Sequence, residues 1–428
     1  MSEEREENQK QGTAEEEEYS FLQETVKDEQ ATWKRGWSVL WKTAVKGLIF
    51  GVAACAAFYI MKPWLDTSLH KENEKVTIPE DEEQDETDQV EETEEPDTEL
   101  VYPALTLDNY KELLRAVYQV AAESNKCVAE VGAVRAEENW ENASFDTANS
   151  VSGTIVWENA VEVLVLAPAR IARDAQSLSV TFSDGIKYPA ALKKQDLNLG
   201  LAVFSVETGR LSDTTRNQIQ TAVLGNSNIM GRGDPVIVLG KQFGYAGGVG
   251  YGIVSSTRNR ISVADGEYRI ISTDIAAADG GSGVLFNTNG EVIGIVDQKM
   301  SSQGSMNLVT AYAISDIKSY IEELSNGKAI PYLGINGVDV TEAVSEEQGI
   351  PKGVYVREIE VDSPAMQAGI QNGDVIIEMN KGTVSTISGM NKILMECKVG
   401  EQIRIRGKRQ GASGYVDMDF DITVGSKE

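Results

Sequence analysis

Residues 273–295 read TDIAAADGGSGVLFNTNGEVIGI, and this stretch carries the pattern that decides the fold. Two apolar runs, 283–287 and 291–296, flank the turn-forming residues Thr288, Asn289 and Gly290. Short apolar runs bounded by Gly, Asn and Asp predict β-strands that are joined by tight turns. The same alternation of runs and turns continues on both sides of this stretch.

Further short runs of this kind follow one another along the chain, with Gly, Asp and Asn clusters between them. They are 127–134, 153–157, 161–167, 178–183, 201–206, 235–240, 251–256, 268–273 and 309–314. A helix is predicted over 105–122, with Asp108 as its N-cap, and another over 314–324. Many short strands with almost no helix predict a β-barrel or a β-sandwich.

A second unit follows the linker Asn326-Gly327. Residues 331–424 mix strand patterns with two helical pieces, 363–369 and 387–397, over a length typical of one small domain. The predicted fold class is therefore mainly β, with a smaller α+β domain at the C-terminal side.

The composition excludes several classes of protein. The chain has 428 residues with one histidine, His70, and three cysteines, so a multi-histidine metal site, a four-cysteine zinc site and a disulfide scaffold are excluded. No metal and no cofactor is predicted. A pI near 4.5 argues against nucleic acid as a partner, because phosphate recognition needs concentrated Lys and Arg.

The net charge of −28 lies mostly in two segments. Residues 1–33 carry a net −8 and residues 72–99 a net −14, and both contain few large apolar residues. Such segments bury too little surface to offset the entropy of ordering, so both are predicted to be disordered.

Between the acidic segments lies an apolar run. Residues 47–61 carry no charge, and 41–62 have the length of one transmembrane helix. Lysines before the run place the N-terminus in the cytoplasm and the body outside it, by the positive-inside rule. The alternative, a buried core helix, lacks a neighbouring core to enter. The predicted order is a cytoplasmic acidic tail (1–40), a single-pass anchor in the cell membrane and its lipid bilayer (41–62), an acidic stalk (63–102), a β-rich domain (103–325) and a final domain (328–428).

Five segments of the body together resemble the HtrA-type serine proteases, in which a chymotrypsin-like double β-barrel precedes a PDZ domain. They are LSVTFSDGIKYPAALKKQDLNLGLAVFSVE (178–207), AVLGNSNIMGRGDPVIVLGKQFGYAGGVGYGIVSS (222–256), the opening stretch 273–295, PYLGI (331–335) and SPAMQAGIQNGDVIIEMN (363–380). The resemblance covers residues 123–428 and implies a bacterial membrane-anchored member, with a homotrimer as its assembly.

The resemblance assigns the catalytic positions residue by residue. Ser282 matches the nucleophile, and Gly280 together with Ser282 matches the backbone donors of the oxyanion hole. The Ser-Gly-Gly-Pro of the family is shortened here to Ser282-Gly283-Val284. In VLVLAPARI (163–171) Pro168 stands where the family has its histidine, and in GLAVF (200–204) Gly200 stands where it has its aspartate.

Serine acyl transfer needs a base that accepts the serine proton, and neither Pro168 nor Gly200 can accept one. His70 belongs to the predicted stalk, where nothing rigid would hold it against Ser282. Lysine serves as the base in some serine hydrolases, and Lys193, Lys194 and Lys241 belong to the predicted barrels. A serine in a glycine-rich turn that is kept only as scaffold is the structural alternative for Ser282.

The final domain has its own predicted site. By resemblance Tyr332-Leu333-Gly334-Ile335 forms the loop that binds a peptide carboxylate, with Leu333 and Ile335 lining the pocket and Ile387, Met390 and Ile393 as its far wall. PDZ domains add a peptide C-terminus as an extra strand. Asp374 is interpreted as a turn residue.

Two functions remain open at this stage. The first is a membrane-anchored pseudoprotease that binds peptide or protein C-termini outside the membrane. The second is an active endopeptidase of envelope protein quality control, with Ser282 as nucleophile and an unrecognised base. Cys127 and Cys397 are expected as buried thiols, with a disulfide between them as the alternative.

Overall fold

The computed structural model describes residues 106–135, 149–301 and 307–428. The predicted tail, anchor and stalk, which together span 1–102, lie outside the described residues. Within those residues no helix is long and apolar enough to cross a membrane.

The described chain begins with helix α1, Leu107–Ser124. Its N-cap is Thr106 and not the predicted Asp108, because Thr106 is extended and its hydroxyl accepts the Asn109 N–H at 3.2 Å. Asp108 lies in the first turn, where a carboxylate favours the helix dipole.

The first six strands close into a barrel in the order β1-β2-β3-β6-β5-β4. They are β1 (Val128–Val134), β2 (Ser150–Glu158), β3 (Glu162–Pro168), β4 (Ser177–Thr181), β5 (Lys187–Asp196) and β6 (Leu201–Glu207). Alternate side chains such as Val163, Val165 and Phe204 fill its interior. A short helix, α2 (Asp213–Gln218), leads to the next barrel.

The second barrel repeats this architecture in the order β10-β11-β12-β9-β8-β7. Its elements are β7 (Pro235–Gly240), β8 (Gly248–Val263), β9 (Gly266–Ala276), β10 (Ser282–Asn287), β11 (Val292–Asp297), α3 (Gln298–Ser301), β12 (Leu308–Ala313) and α4 (Ile314–Ser325). An apolar cluster shared by both barrels packs against α4, which fixes the barrels relative to each other. The predicted mainly β double barrel is confirmed.

A sheet with the strand order β13-β14-β15-β17-β18 forms the last part of the chain. Its elements are β13 (Ile335–Asp339), α5 (Glu342–Gln348), β14 (Val354–Ile359), α6 (Pro364–Gln367), β15 (Val375–Met379), β16 (Gly382–Thr383), α7 (Ile387–Met395), β17 (Gln402–Gly411) and β18 (Gly414–Thr423). Strand β13 is an edge strand, pairing with β14 on one side. An edge strand offers backbone groups to an added strand.

The buried carboxylate of Asp374 and the partly exposed guanidinium of Arg409 hold one turn of this sheet. Arg409 donates to both carboxylate oxygens of Asp374, at 2.7 and 2.8 Å, and Gln371 N–H donates to the same carboxylate at 2.9 Å. The interpretation of Asp374 as a turn residue fits these contacts. Cys127 and Cys397 are both buried and free, so they form no disulfide.

Candidate active and peptide-binding sites

Ser282 lies at the start of β10 with its side chain fully buried between the barrels. Its Oγ accepts a hydrogen bond from the backbone N–H of Ser152 in β2, at 2.9 Å. Within the described part of the chain the Ser282 hydroxyl makes no other hydrogen bond. Strand β2 of the first barrel therefore covers the side chain that would have to face a substrate.

The loop before Ser282 is held in a tight turn. Gly281 N–H donates to Ala278 O at 3.0 Å, and Ala278 N–H donates to Gln242 O at 2.8 Å. A Cβ on Gly281 would lie 2.6 Å from Gln242 O, so a side chain does not fit there. Gly280 has φ 67°, a backbone region that favours glycine.

Pro168 and Gly200 lie side by side at the end of the first barrel. Pro168 pairs with Leu201 in the β3–β6 ladder, and Ala169 N–H donates to Gly200 O at 2.8 Å. The fold thus brings together the two positions that the resemblance assigns to histidine and aspartate. The side chains of Pro168 and Gly200 contain no group that could accept or donate a proton.

Arg170, directly after these positions, reaches the loop of Ser282. Its guanidinium donates to Gly280 O at 2.8 Å and to the Asp297 carboxylate at 3.3 Å. Asp297 is paired with Ser282 across β10 and β11. Burial raises the pKa of Asp297, while the Arg170 charge lowers it. A cation therefore lies between the two barrels beside the proposed serine.

Lys241 is joined to Ser282 through the backbone, since its N–H donates to Ser282 O at 2.8 Å. Its side chain is buried, and Nζ donates to Ser150 Oγ at 2.9 Å and to Ser150 O at 3.3 Å. The Ser150 hydroxyl in turn donates to Glu130. Burial lowers the pKa of Lys241, Glu130 raises it, and the Arg170 charge adds to the lowering. The ammonium thus contacts Ser150.

The predicted carboxylate-binding loop has its three N–H groups directed at one carboxylate. Leu333 N–H and Gly334 N–H donate to Asp265 Oδ2 at 2.6 and 2.8 Å, and Ile335 N–H donates to Asp265 Oδ1 at 2.9 Å. Gly334 has φ 88°, and a Cβ there would lie 2.3 Å from Ser363 Cβ. The loop geometry therefore depends on glycine at this position.

The apolar side of this loop faces α7. Leu333, Ile335, Ile387 and Met390 are buried in one cluster, together with Leu394. The predicted wall residue Ile393 is partly buried and packs against the same cluster, and it also lies close to Gly382 in β16. Ile387, Met390 and Leu394 share the buried face of α7, because helical positions three and four apart lie on one side. The remaining loop residue, Tyr332, donates its hydroxyl to Glu360 at 2.6 Å.

Asp265, the residue that fills the loop, lies at the tip of the β8–β9 hairpin and is 2% exposed. Burial raises the pKa of Asp265 to about 6, while the hydrogen bonds from Gly334, Ile335 and Leu333 lower it. Asn391 of α7 donates to Asp265 O at 3.0 Å. Sequence reasoning missed Asp265 and Asn391, as it missed Ser152 and Arg170.

No group of His, Cys, Asp or Glu side chains that could hold a metal ion occurs in residues 106–135, 149–301 and 307–428. The sites described above combine hydroxyl, ammonium, guanidinium and backbone N–H donors with the carboxylates of Asp297 and Asp265, which accept from these donors.

Comparison with known proteins gives two matching families. The family described as "Trypsin-like peptidase domain" matches residues 147–295, and the family described as "PDZ domain" matches residues 331–419. The first match runs from β2 into β11 and so spans most of both barrels, and the second begins at the predicted carboxylate-binding loop.

Similar proteins include serine proteases of several bacteria. The chain is 30% identical to "Serine protease Do-like HtrB" of Bacillus subtilis (strain 168), over 61% of this chain and 59% of the relative. It is 29% identical to "Probable periplasmic serine endoprotease DegP-like" of Halomonas elongata, over 64% of this chain and 56% of the relative. The chain thus spans well under two thirds of the length of each relative.

A solved structure agrees with these matches at the level of the fold. "HtrA-type protease AlgW with tripeptide" superposes with a TM-score of 0.52 at 22% identity, over 73% of this chain and 97% of that one. Domain order, matching segments and relatives point in the same direction. The chain therefore belongs to the HtrA-type serine protease family, in which a trypsin-like peptidase domain is followed by a PDZ domain.

Proposed function

We propose that this protein is a membrane-anchored, catalytically inactive HtrA-type homologue that binds peptide or protein C-termini through its PDZ domain. The single observation that carries the inactivity is the hydrogen bond from Ser152 N–H to the buried Ser282 hydroxyl, at 2.9 Å. A nucleophile needs a base on that hydroxyl and an open path to a substrate carbonyl. At Ser282 the hydroxyl oxygen instead accepts a hydrogen bond from a backbone amide of the neighbouring barrel.

The two positions that the resemblance assigns to the catalytic histidine and aspartate support the same proposal. Pro168 and Gly200 lie next to each other, where the family would have a histidine and the aspartate that orients it. The only histidine of the chain is His70. Arg170 extends from this place to Gly280 and Asp297, and a guanidinium cannot act as a base at neutral pH.

A second candidate is an active endopeptidase that uses Lys241 as its base. The buried Lys241 side chain and its lowered pKa favour this candidate, since a lysine base must lose its charge near neutral pH. The contacts of Nζ with Ser150 oppose it, because the ammonium donates there and the Ser282 hydroxyl is bound by Ser152.

A serine-directed fluorophosphonate probe decides between the two candidates. The purified full chain in detergent is incubated with the probe, with and without added peptides, and labelling is read by mass spectrometry. Inactivity predicts labelling no greater than that of Ser282→Ala. Labelling of Ser282 that disappears in Lys241→Met would establish the second candidate, and hydrolysis of a peptide substrate abolished in Ser282→Ala would overturn the first.

The binding half of the proposal rests on the loop and on the edge strand. Three backbone N–H groups of residues 333–335 converge on a carboxylate, and β13 leaves a strand-addition edge beside α7. The similar AlgW structure was solved with a tripeptide. We expect the full chain to bind fluorescein-labelled decapeptides that end in Val, Leu or Phe with a free carboxylate. Equal binding of the C-terminally amidated peptides would contradict recognition of the terminus.

Anchoring by residues 41–62, with the body outside the cytoplasm, is proposed from the sequence, as are the domain boundaries and a homotrimer. Protease added to intact cells should remove the body and spare residues 1–40. Extraction by carbonate would contradict the anchor. The mass of the detergent-solubilised chain from light scattering tests the trimer.

A further inference from the structure

The tip of the β8–β9 hairpin lies inside the peptide-binding site of the PDZ domain. Val263 and Gly266 pair across the hairpin, which leaves Ala264 and Asp265 as its two tip residues. Both are buried, at 1% and 2% exposure, although a hairpin tip is normally the most exposed part of a barrel. Something therefore holds this tip against the PDZ domain.

The contacts of Asp265 reproduce those of a bound peptide terminus. Its carboxylate accepts all three N–H groups of Leu333, Gly334 and Ile335. Its own N–H donates back to Ile335 O at 2.8 Å, as the last residue of an added strand would do. Its carbonyl accepts from Asn391 of α7, at 3.0 Å, so both walls of the groove contact the same residue.

The backbone conformation of the tip suits this role. Asp265 has φ 63°, a region in which Asp and Asn are the side-chain-bearing residues most often found. Asn198 of the first barrel donates to Ala264 O at 2.7 Å and so pins the tip from the other side. The tip is thus positioned by both barrels before it meets the PDZ loop.

A peptide carboxylate and the Asp265 carboxylate need the same three N–H groups, so the two cannot occupy the loop together. Two anions in one desolvated loop would also repel each other strongly. The loop must release Asp265 before it can accept a terminus.

We propose that Asp265 is an intramolecular ligand that closes the PDZ carboxylate-binding loop, and that peptide C-termini bind by displacing it. The inference rests on the proposed peptide binding and adds its regulation. The affinity of a terminus is then lowered by the fraction of molecules in which the loop is open.

Two measurements on the full chain in detergent test the inference. The first is hydrogen–deuterium exchange of the amides at 333–335, which reports an open loop without any ligand. The second is fluorescence polarisation with the free-carboxylate decapeptides named above. The variants are Asp265→Ala and the isosteric Asp265→Asn, and the matched control is Glu267→Gln, which removes a negative charge from the same hairpin at a residue that pairs with Arg260.

We expect both Asp265 variants to exchange these amides at least tenfold faster than the wild type and the control. We also expect at least tenfold tighter binding of the peptides. The inference would be overturned if the amides of 333–335 exchanged at the wild-type rate in both variants. It would also be overturned if these amides exchanged faster while the measured affinity for the peptides stayed the same. Faster exchange without binding of any free-carboxylate peptide would support closure of the loop by Asp265 and would overturn the proposed peptide-binding function instead. The isosteric variant retains the test if Asp265→Ala does not fold.

Discussion

Replacing Ser282 with Ala is expected to destabilise the protein, because the structure uses this hydroxyl as a structural acceptor. The side chain is fully buried, and its Oγ accepts the N–H of Ser152 at 2.9 Å. Alanine removes the acceptor and leaves a backbone N–H buried between the barrels with nothing of similar geometry to replace it. If the serine lay in an open cleft, water would take the place of the deleted hydroxyl and the substitution would cost little stability.

The magnitude follows from the lost partner. A buried donor left unsatisfied costs about 1–3 kcal/mol in the free energy of unfolding, and deleting one atom adds little cavity cost. We expect Ser282→Ala to lose about 2 kcal/mol relative to the wild type, in urea unfolding followed by circular dichroism at constant detergent.

The control is Ser183→Ala, at an exposed serine of a turn between β4 and β5. A surface change of this kind stays within about 0.5 kcal/mol of the wild type. If Ser282→Ala also stays within that limit, or stabilises the chain, the hydroxyl is not a structural acceptor and the reasoning from its burial is refuted. Equal losses in both variants would show that the measurement is not specific to the site.

Three further outcomes are expected. Gly334→Ala should lose about 2–4 kcal/mol in urea unfolding and abolish peptide binding by polarisation, because φ 88° is strained for alanine and its Cβ would lie 2.3 Å from Ser363 Cβ; retained binding would contradict this. Asp374→Ala should cost about 2 kcal/mol by the same assay, because the Gln371 N–H loses its acceptor and the partly exposed Arg409 guanidinium loses its partner; a loss under about 0.5 kcal/mol would refute it. Burial raises the pKa of Cys127 to about 11, so at pH 8 a smaller fraction of this thiol is ionised in the folded protein than in the unfolded chain. Because the thiolate is the reactive form, iodoacetamide should modify Cys127 about 100-fold more slowly before denaturation than after it. Equal rates would contradict the burial of Cys127.

The barrels and the PDZ domain were predictable because their signals are local. Apolar runs of strand length, separated by turn residues such as Asn289-Gly290, determine where each strand begins and ends. Order along the chain and the family resemblance then determine the architecture. The N-cap of α1 was the exception, because Thr106 and Asp108 are both good caps and only the backbone angles at Thr106 distinguish them.

The site was predictable only in part, for a physical reason. Pro168, Gly200 and Ser282 belong to motifs, so their positions could be assigned along the chain. Ser152 could not be found in this way, because its contribution is a backbone N–H, which every residue except proline carries. Asp265 is an ordinary turn residue in the sequence, and its contact with residues 333–335 exists only after two domains are packed together.

The contact between Asn198 and the hairpin tip has a consequence for communication across the molecule. Asn198 lies in the turn that ends at Gly200, and it donates to Ala264, the neighbour of Asp265. If a peptide displaces Asp265, the hydrogen bond between Asn198 and Ala264 is strained or broken, so the turn contributes to the free energy of the displacement. Thermodynamic linkage makes the effect reciprocal: whatever factor the turn imposes on peptide affinity, a bound peptide imposes on the order of the turn. The turn, which carries no catalytic side chain, would then show by a change in its own mobility whether the groove is occupied.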